Sequence, residues 1–171
     1  MSEYQAAIEL IKEFESLRDG DPTTPNLNPY LCPTGYWTIG WGHVVINAKG
    51  EMLKGPAKKA EAYAIYPNGI PLAEAEALLA DDLRRFSAGV AGRVGVNLTN
   101  NQFNALVSFA FNVGIGAFAA STLLKVVNRK EFYLVPSEMR RWNKGTVNGK
   151  RRVLAGLTRR REAEAKLWQR P

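Results

Sequence analysis

Between residues 3 and 18 the apolar side chains of Tyr4, Ala7, Ile8, Ile11, Phe14 and Leu17 return every three or four positions. That is the 3.6-residue period of an amphipathic helix with one face turned inward. The pattern breaks at GDPTTPNLNP (20–29), whose glycine, prolines and asparagines predict a loop. GYWTIGWGHVVI (35–46) is aromatic and β-branched with glycine punctuation, and predicts the strands of a small sheet or hairpin. Residues 47–70 show no clear period and close on the turn PNG. A helix is expected next, with Pro71 near its first position and LAEAEALLADDLRRF as its body. TNNQ at 99–102 has the form of a capping box, and the helix it opens, FNALVSFAF, is apolar on nearly every side. Such a helix belongs at the centre of a core. Gly114 and Gly116 are expected to stop it. Ser121 or Thr122, Pro136 and Thr158 each read as the start of a further helix, the last being RRREAEAKLW. One short sheet among many helices gives an α+β fold.

At 171 residues the chain fits one domain, or one domain with two lobes sharing a long helix, and can bury a core without disulfides or metals. There is no internal repeat or low-complexity segment. With one cysteine, Cys32, and one histidine, His43, neither a disulfide framework nor a His/Cys zinc site is expected. No metal or cofactor is implied. The first residues, MSEYQAAIELIKEFES, bring acids early and lack the apolar run of a signal peptide. Val94–Leu124 carries no charge, but its asparagines and glycines suit a buried helix with flanking loops better than a membrane span. The net charge of +7 favours a polyanionic partner: nucleic acid, anionic lipid or an acidic wall polymer.

Glu15 sits within about 40° of Tyr4, Ile8 and Ile11 on the helical wheel. A carboxylate on the buried stripe is costly unless paired or protonated. Two readings stand: an ion pair with Arg18 at the helix end, or a carboxyl kept there for chemistry. In the strand that follows, alternation turns Trp37, Ile39, Trp41 and His43 one way and Tyr36, Thr38, Gly40, Gly42 and Val44 the other. Thr38 thus shares its face with two glycines, which either bare the backbone for a flat polymer or permit close internal packing.

The series EFESLR, PYLCPTGYWTIGWGH, LTNNQFNALVSFAFNVGIGAFAASTLL, RRWNKG and GLTRRREAE, in that order along nearly the whole chain, resembles the phage-type lysozymes. The resemblance implies a lysozyme-like fold over residues 1–171. Its parts would be a first helix at 3–18, a small sheet lobe at about 28–70, and a larger helical lobe at about 71–171, joined by a long helix. It implies cleavage of the β-1,4 bond between N-acetylmuramic acid and N-acetylglucosamine in peptidoglycan glycan strands, for host-cell lysis. The family's catalytic triad is a glutamate, an aspartate or cysteine, and a threonine; Glu15, Cys32 and Thr38 fall on those positions. Glu15 is then the general acid, Thr38 holds the attacking water, and Cys32 takes the place more often held by aspartate. A partly buried glutamate suits the acid role. By the same resemblance His43 and Asp82 form a structural ion pair, and Val44, Phe111 and Ser121 contact substrate.

Two features depart from the family pattern. Sixteen residues lie between Glu15 and Cys32, more than is usual, and the surplus falls in the loop at 19–27. The cysteine itself is a weaker base than carboxylate at neutral pH and a better nucleophile when ionised, or it is a spectator filling a loop pocket. The stretch Arg151–Pro171 carries seven basic residues against Glu162 and Glu164. It is either a solvated helix face or an electrostatic contact with the acidic cell envelope. The expected protein is a monomer without a nucleic-acid partner, made in the host cytoplasm. It would reach the wall in the periplasm after another factor opens the inner membrane. Two rivals remain: a lytic transglycosylase, which breaks the same bond without water, and a non-catalytic basic wall-binding module.

Overall fold

A computed structural model of the chain describes residues 4–147 and 149–171, and Val147 in its backbone only. It divides into two compact units, one of Met1–Phe14 with Leu83–Pro171 and the other of Glu15–Asp82. Helix α1 covers Gln5–Glu15, shorter than the expected 3–18. Residue 3 lies outside the described residues. At the other end Ser16 takes a left-handed backbone, φ 50°, which breaks the helical ladder.

The unit Glu15–Asp82 holds a three-stranded antiparallel sheet of β1 (Tyr30–Leu31), β2 (Trp37–Ile39) and β3 (His43–Val44), in that order. Its register sets Tyr30 opposite Thr38, Leu31 opposite Trp37, Thr38 opposite Val44, and Ile39 opposite His43. Trp37 and Ile39 pack with Val45, Leu53, Ala62, Ile70 and Ala75 into the core of this unit. Tyr63 meets the Trp37 ring edge-on at 6.2 Å between centroids. Tyr63 lies on α2 (Lys59–Ile65), a short helix within the stretch expected to be irregular. Only Ala62 of α2 is buried, so its hydrophobic period is too brief to read. The loop before β1 is ordered around the buried Asn28. Asp19 Oδ1 accepts from the backbone N–H of Asp21 at 3.0 Å and of Asn28 at 2.9 Å, and the Asn28 amide donates to Asn26 O at 2.9 Å.

The long helix α3 (Leu72–Ala91) carries the chain from this unit into the other. There α4 (Asn100–Val113) is buried continuously from Asn104 to Ala110. The capping box is formed: Gln102 N–H donates to Thr99 Oγ1 at 3.2 Å, and Thr99 N–H to Gln102 Oε1 at 2.9 Å. Gly114 ends α4 with φ 89°, whereas Gly116, expected as a second stop, lies inside the next short helix, α5 (Ile115–Ala119). Ser121 caps α6 (Thr122–Asn128), and Pro136 sits in the first turn of α7 (Val135–Arg140). A hairpin of β4 (Lys144–Val147) and β5 (Lys150–Val153) follows; β5 is exposed throughout, so no alternation marked it. Helix α8 (Ala155–Trp168) starts before Thr158, the expected cap. Thr158 Oγ1 instead donates back to Leu154 O at 3.2 Å, inside the first turn. No helix among the described residues is long and apolar enough to cross a membrane.

The charge pattern of α8 is not that of a solvated basic face. Arg160, Arg161 and Glu164 are buried, Arg161 and Glu164 with no exposure at all. Glu164 accepts from Ser108 Oγ at 2.9 Å, Arg160 Nε at 3.2 Å and Arg161 Nη2 at 3.0 Å, and Arg161 Nε stands 2.8 Å from its other oxygen. Arg161 also lies over the Phe109 ring at 4.7 Å and donates to Asn112 Oδ1 at 3.0 Å. Burial pushes the Glu164 carboxyl up, and the two guanidinium groups and Ser108 pull it down. Arg159 and Lys166 of α8 are exposed, as are Lys144, Lys150, Arg151 and Arg152 on the hairpin.

Candidate active site

Helix α1 delivers Glu15 at its last residue, half-buried. The turn Gly40–Gly42 between β2 and β3 is where its carboxyl lies. Gly42 has φ +82°, and a methyl group added there would stand 3.3 Å from Glu15 Oε2. Glycine at 42 therefore serves both the turn and the carboxyl. Gly40 answers differently: a methyl group there would come within 2.9 Å of the Ala75 side chain on α3, so this glycine permits close packing of turn on helix. Arg18 is exposed, beyond the left-handed Ser16, rather than one helical turn past Glu15.

Cys32 lies just past β1, at the head of the turn Cys32–Gly35. Its N–H donates to Tyr36 O and its carbonyl accepts from Gly35 N–H, both at 2.8 Å. Its sulfur is partly exposed and hydrogen-bonds Thr34 Oγ1 at 2.9 Å. Thr38 is 4% exposed, and its hydroxyl donates to Tyr30 O at 3.3 Å. Because Tyr30, Thr38 and Val44 are direct cross-strand partners, their side chains form one row across the sheet.

Tyr30 is where these groups meet electrostatically. Burial pushes its phenol above the ordinary value, and the charges of Glu15 and Cys32 push the same way. A hydrogen bond with Thr38 and the charge of Arg18 pull it back. The structure thus brings Glu15, Cys32, Thr38 and Val44 into one unit, together with Tyr30, which sequence reasoning missed. The available signal was the CPTG turn: with Cys32–Gly35 closing the hairpin, residue 30 must face residue 38.

His43 Nδ1 and Asp82 Oδ2 are 2.8 Å apart, Asp82 being nearly buried. Phe111 and Ser121 belong to the other unit. Phe111 is half-buried and packs on Phe86 at 5.1 Å between centroids. Ser121, expected as a substrate contact, is 4% exposed; its hydroxyl donates to Phe118 O at 2.6 Å and accepts from Leu124 N–H at 3.1 Å. Its one donor is therefore taken by Phe118 O, while a lone pair caps α6.

The family model described as Phage lysozyme matches residues 21–164. An endolysin of Acyrthosiphon pisum secondary endosymbiont phage 1 is 34% identical over 165 residues, covering 96% of both chains. An endolysin of Bacillus phage B103 is 39% identical; the match takes in 98% of this chain and 54% of that endolysin, so the present chain spans about half of it. Among solved structures, the muramidase domain of SpmX from Asticaccaulis excentricus superposes with a TM-score of 0.75 at 34% identity, covering 99% of each chain.

Proposed function

The chain belongs to the phage lysozyme family and is a lysozyme, and we propose that Glu15, Cys32 and Thr38 carry its chemistry as an endolysin. It hydrolyses the β-1,4 bond between N-acetylmuramic acid and N-acetylglucosamine in peptidoglycan. Breaking such a bond takes a protonated carboxyl for the leaving oxygen and a second group that prepares water for the oxocarbenium-like centre. Glu15 gives the proton, Thr38 holds the water, and Cys32, in the place more often held by aspartate, draws the water's proton as thiolate. The observation that supports this division is the sheet itself: Thr38 stands between Tyr30 and Val44 in one cross-strand row, Cys32 follows two residues after Tyr30, and Glu15 lies against Gly42 in the next turn. The Thr34 hydroxyl lies 2.9 Å from the Cys32 sulfur and fixes its place at the head of the turn.

Val44, in the row with Thr38, and Phe111 are the side chains proposed to touch the glycan. The His43–Asp82 pair ties β3 to α3 and takes no part in proton transfer. The basic hairpin β4–β5, rather than α8, is the surface proposed to approach the acidic envelope: Lys144, Lys150, Arg151 and Arg152 are exposed and the hairpin has no acid. The enzyme acts as a monomer, is made in the host cytoplasm, and meets the wall in the periplasm once another factor opens the inner membrane.

The role of Cys32 has a direct test in the turnover of purified cell walls. Cys32→Asp should keep activity, and Cys32→Ala should lose more than about tenfold, or roughly 1.4 kcal/mol of barrier. Alkylation of the thiol should inactivate the enzyme more slowly when substrate is present. An Ala variant close to the parent rate would reduce Cys32 to a packing residue.

A further inference from the structure

We propose that Lys54, held over the ring of Tyr36, determines specificity by binding a carboxylate of the peptide stem on peptidoglycan. Ile46 and Met52 lie beside it and take the stem's methyl groups. This rests on the reading that the bond is cleaved over Thr38 and Val44.

Strand alternation brings these residues together. Trp37, Ile39, Val45 and Leu53 point into the core of the unit Glu15–Asp82, so their chain neighbours point the other way. That opposite face carries Tyr30, Thr38 and Val44 in one cross-strand row. It runs on past them. Tyr36 is two residues from Thr38, about 7 Å along the strand, and pairs with Lys54 in an antiparallel bridge. Ile46 is two residues from Val44 and pairs in the same way with Met52. Trp37 N–H donates to Leu53 O at 2.9 Å, Val45 N–H to Trp37 O at 2.8 Å, and Leu53 N–H to Val45 O at 3.0 Å. These bonds lock the three segments together and hold the second patch in line with the first.

The patch has both a charge and an apolar surface. Lys54 is exposed, and its Nζ stands 4.7 Å from the centre of the Tyr36 ring. The ring face keeps a flexible ammonium in one place, so less freedom is lost when an anion is bound there. Glu51, the one acid between residues 44 and 54, alternates to the other face and accepts from the Asn47 amide at 3.0 Å. The hairpin thus sets no carboxylate of its own beside Lys54. Ile46 is 40% and Met52 55% exposed, although Val45 and Leu53 between them are buried. An apolar cross-strand pair left in water gains from a ligand that covers it. The sugars themselves carry neutral hydroxyl and N-acetyl groups. The stem peptide on N-acetylmuramic acid begins with alanine and bears free carboxyl groups, which is the pairing of methyl and anion that this patch complements.

The test compares kcat/KM on soluble glycan strands bearing their stems with the same strands after conversion of the stem carboxyl groups to amides. The parent should prefer the carboxylate form by about tenfold or more, the worth of one charge-assisted hydrogen bond. Lys54→Gln should lose most of that preference, chiefly through KM, and Lys54→Arg should keep it. Lys49→Gln, which removes the same charge from the same hairpin, should also keep it. Replacing Ile46 and Met52 together by Ser should raise KM severalfold on both forms. A parent without the preference, a Lys54→Gln enzyme that retains it, or an equal loss in Lys49→Gln overturns the proposal. So does a KM unmoved by the two serines, or a Lys54→Gln loss that falls on kcat alone, which is the mark of a structural support. Thr38→Val, measured alongside, separates the two levels. If it is crippled while Lys54→Gln keeps the preference, only the stem subsite fails. If Thr38→Val turns over like the parent, the bond is not cleaved over this row and the subsite loses its place beside it.

Discussion

Glu15→Gln should lose about 10²–10⁴-fold in turnover of purified cell walls, the usual worth of a positioned general acid. The amide keeps the volume of the carboxyl beside Gly42, so the site keeps its shape while losing the proton meant for the leaving oxygen. The variant should therefore fold and melt close to the parent temperature. Gly42→Ala tests the same geometry from the other side. It places a methyl group 3.3 Å from Glu15 Oε2 and strains a backbone at φ +82°, and should lower activity and stability together. A Glu15→Gln enzyme within about tenfold of the parent would remove Glu15 from the acid role.

The second large effect concerns stability and lies in the helical unit. Glu164 is the anion that Arg160 and Arg161 share, and none of the three side chains reaches water appreciably. Glu164→Gln keeps the shape and one acceptor for Ser108 but withdraws the negative charge from between two buried guanidinium groups. Removing one member of a buried ion pair typically costs about 3–5 kcal/mol, because the remaining charge stays desolvated. For a chain of this length that is a fall in melting temperature of roughly 6–20 °C, at about 2–4 °C per kcal/mol. Activity measured well below the transition should be largely spared. A melting point unchanged within about 2 °C would mean that the network contributes no net stability and is retained for another reason.

The same network shows why part of the molecule was not legible in the sequence. RRREAEAKLW reads as a polar helix, since periodicity counts charged residues as outward-facing. Only the tertiary partners, Ser108 and Asn112 on α4, make Arg161 and Glu164 interior residues. Helices with a strong stripe or a chemical start signal were readable: α4 from TNNQ and its apolar body, α7 from Pro136. The hairpin β4–β5 was not, because strands with little buried surface have no alternation to show. At the site, the order of Glu15, Cys32 and Thr38 and the strand alternation were both visible. What needed coordinates was register. Gly40 and Gly42 look alike in the sequence, yet one admits Ala75 and the other Glu15. Tyr30 carries no motif of its own, and becomes part of the site only when β1 is laid against β2.

In the proposed mechanism a water prepared by Thr38 and Cys32 completes the cleavage begun by Glu15. Mass spectrometry of the muropeptides released by the enzyme in oxygen-18 water tests it most directly. Hydrolysis inserts the oxygen of that water at the cleaved bond, so each new N-acetylmuramic acid should carry a free reducing end with one labelled oxygen. Products ending in unlabelled 1,6-anhydro sugars would rule out the water, since the sugar's own hydroxyl would then have done its work.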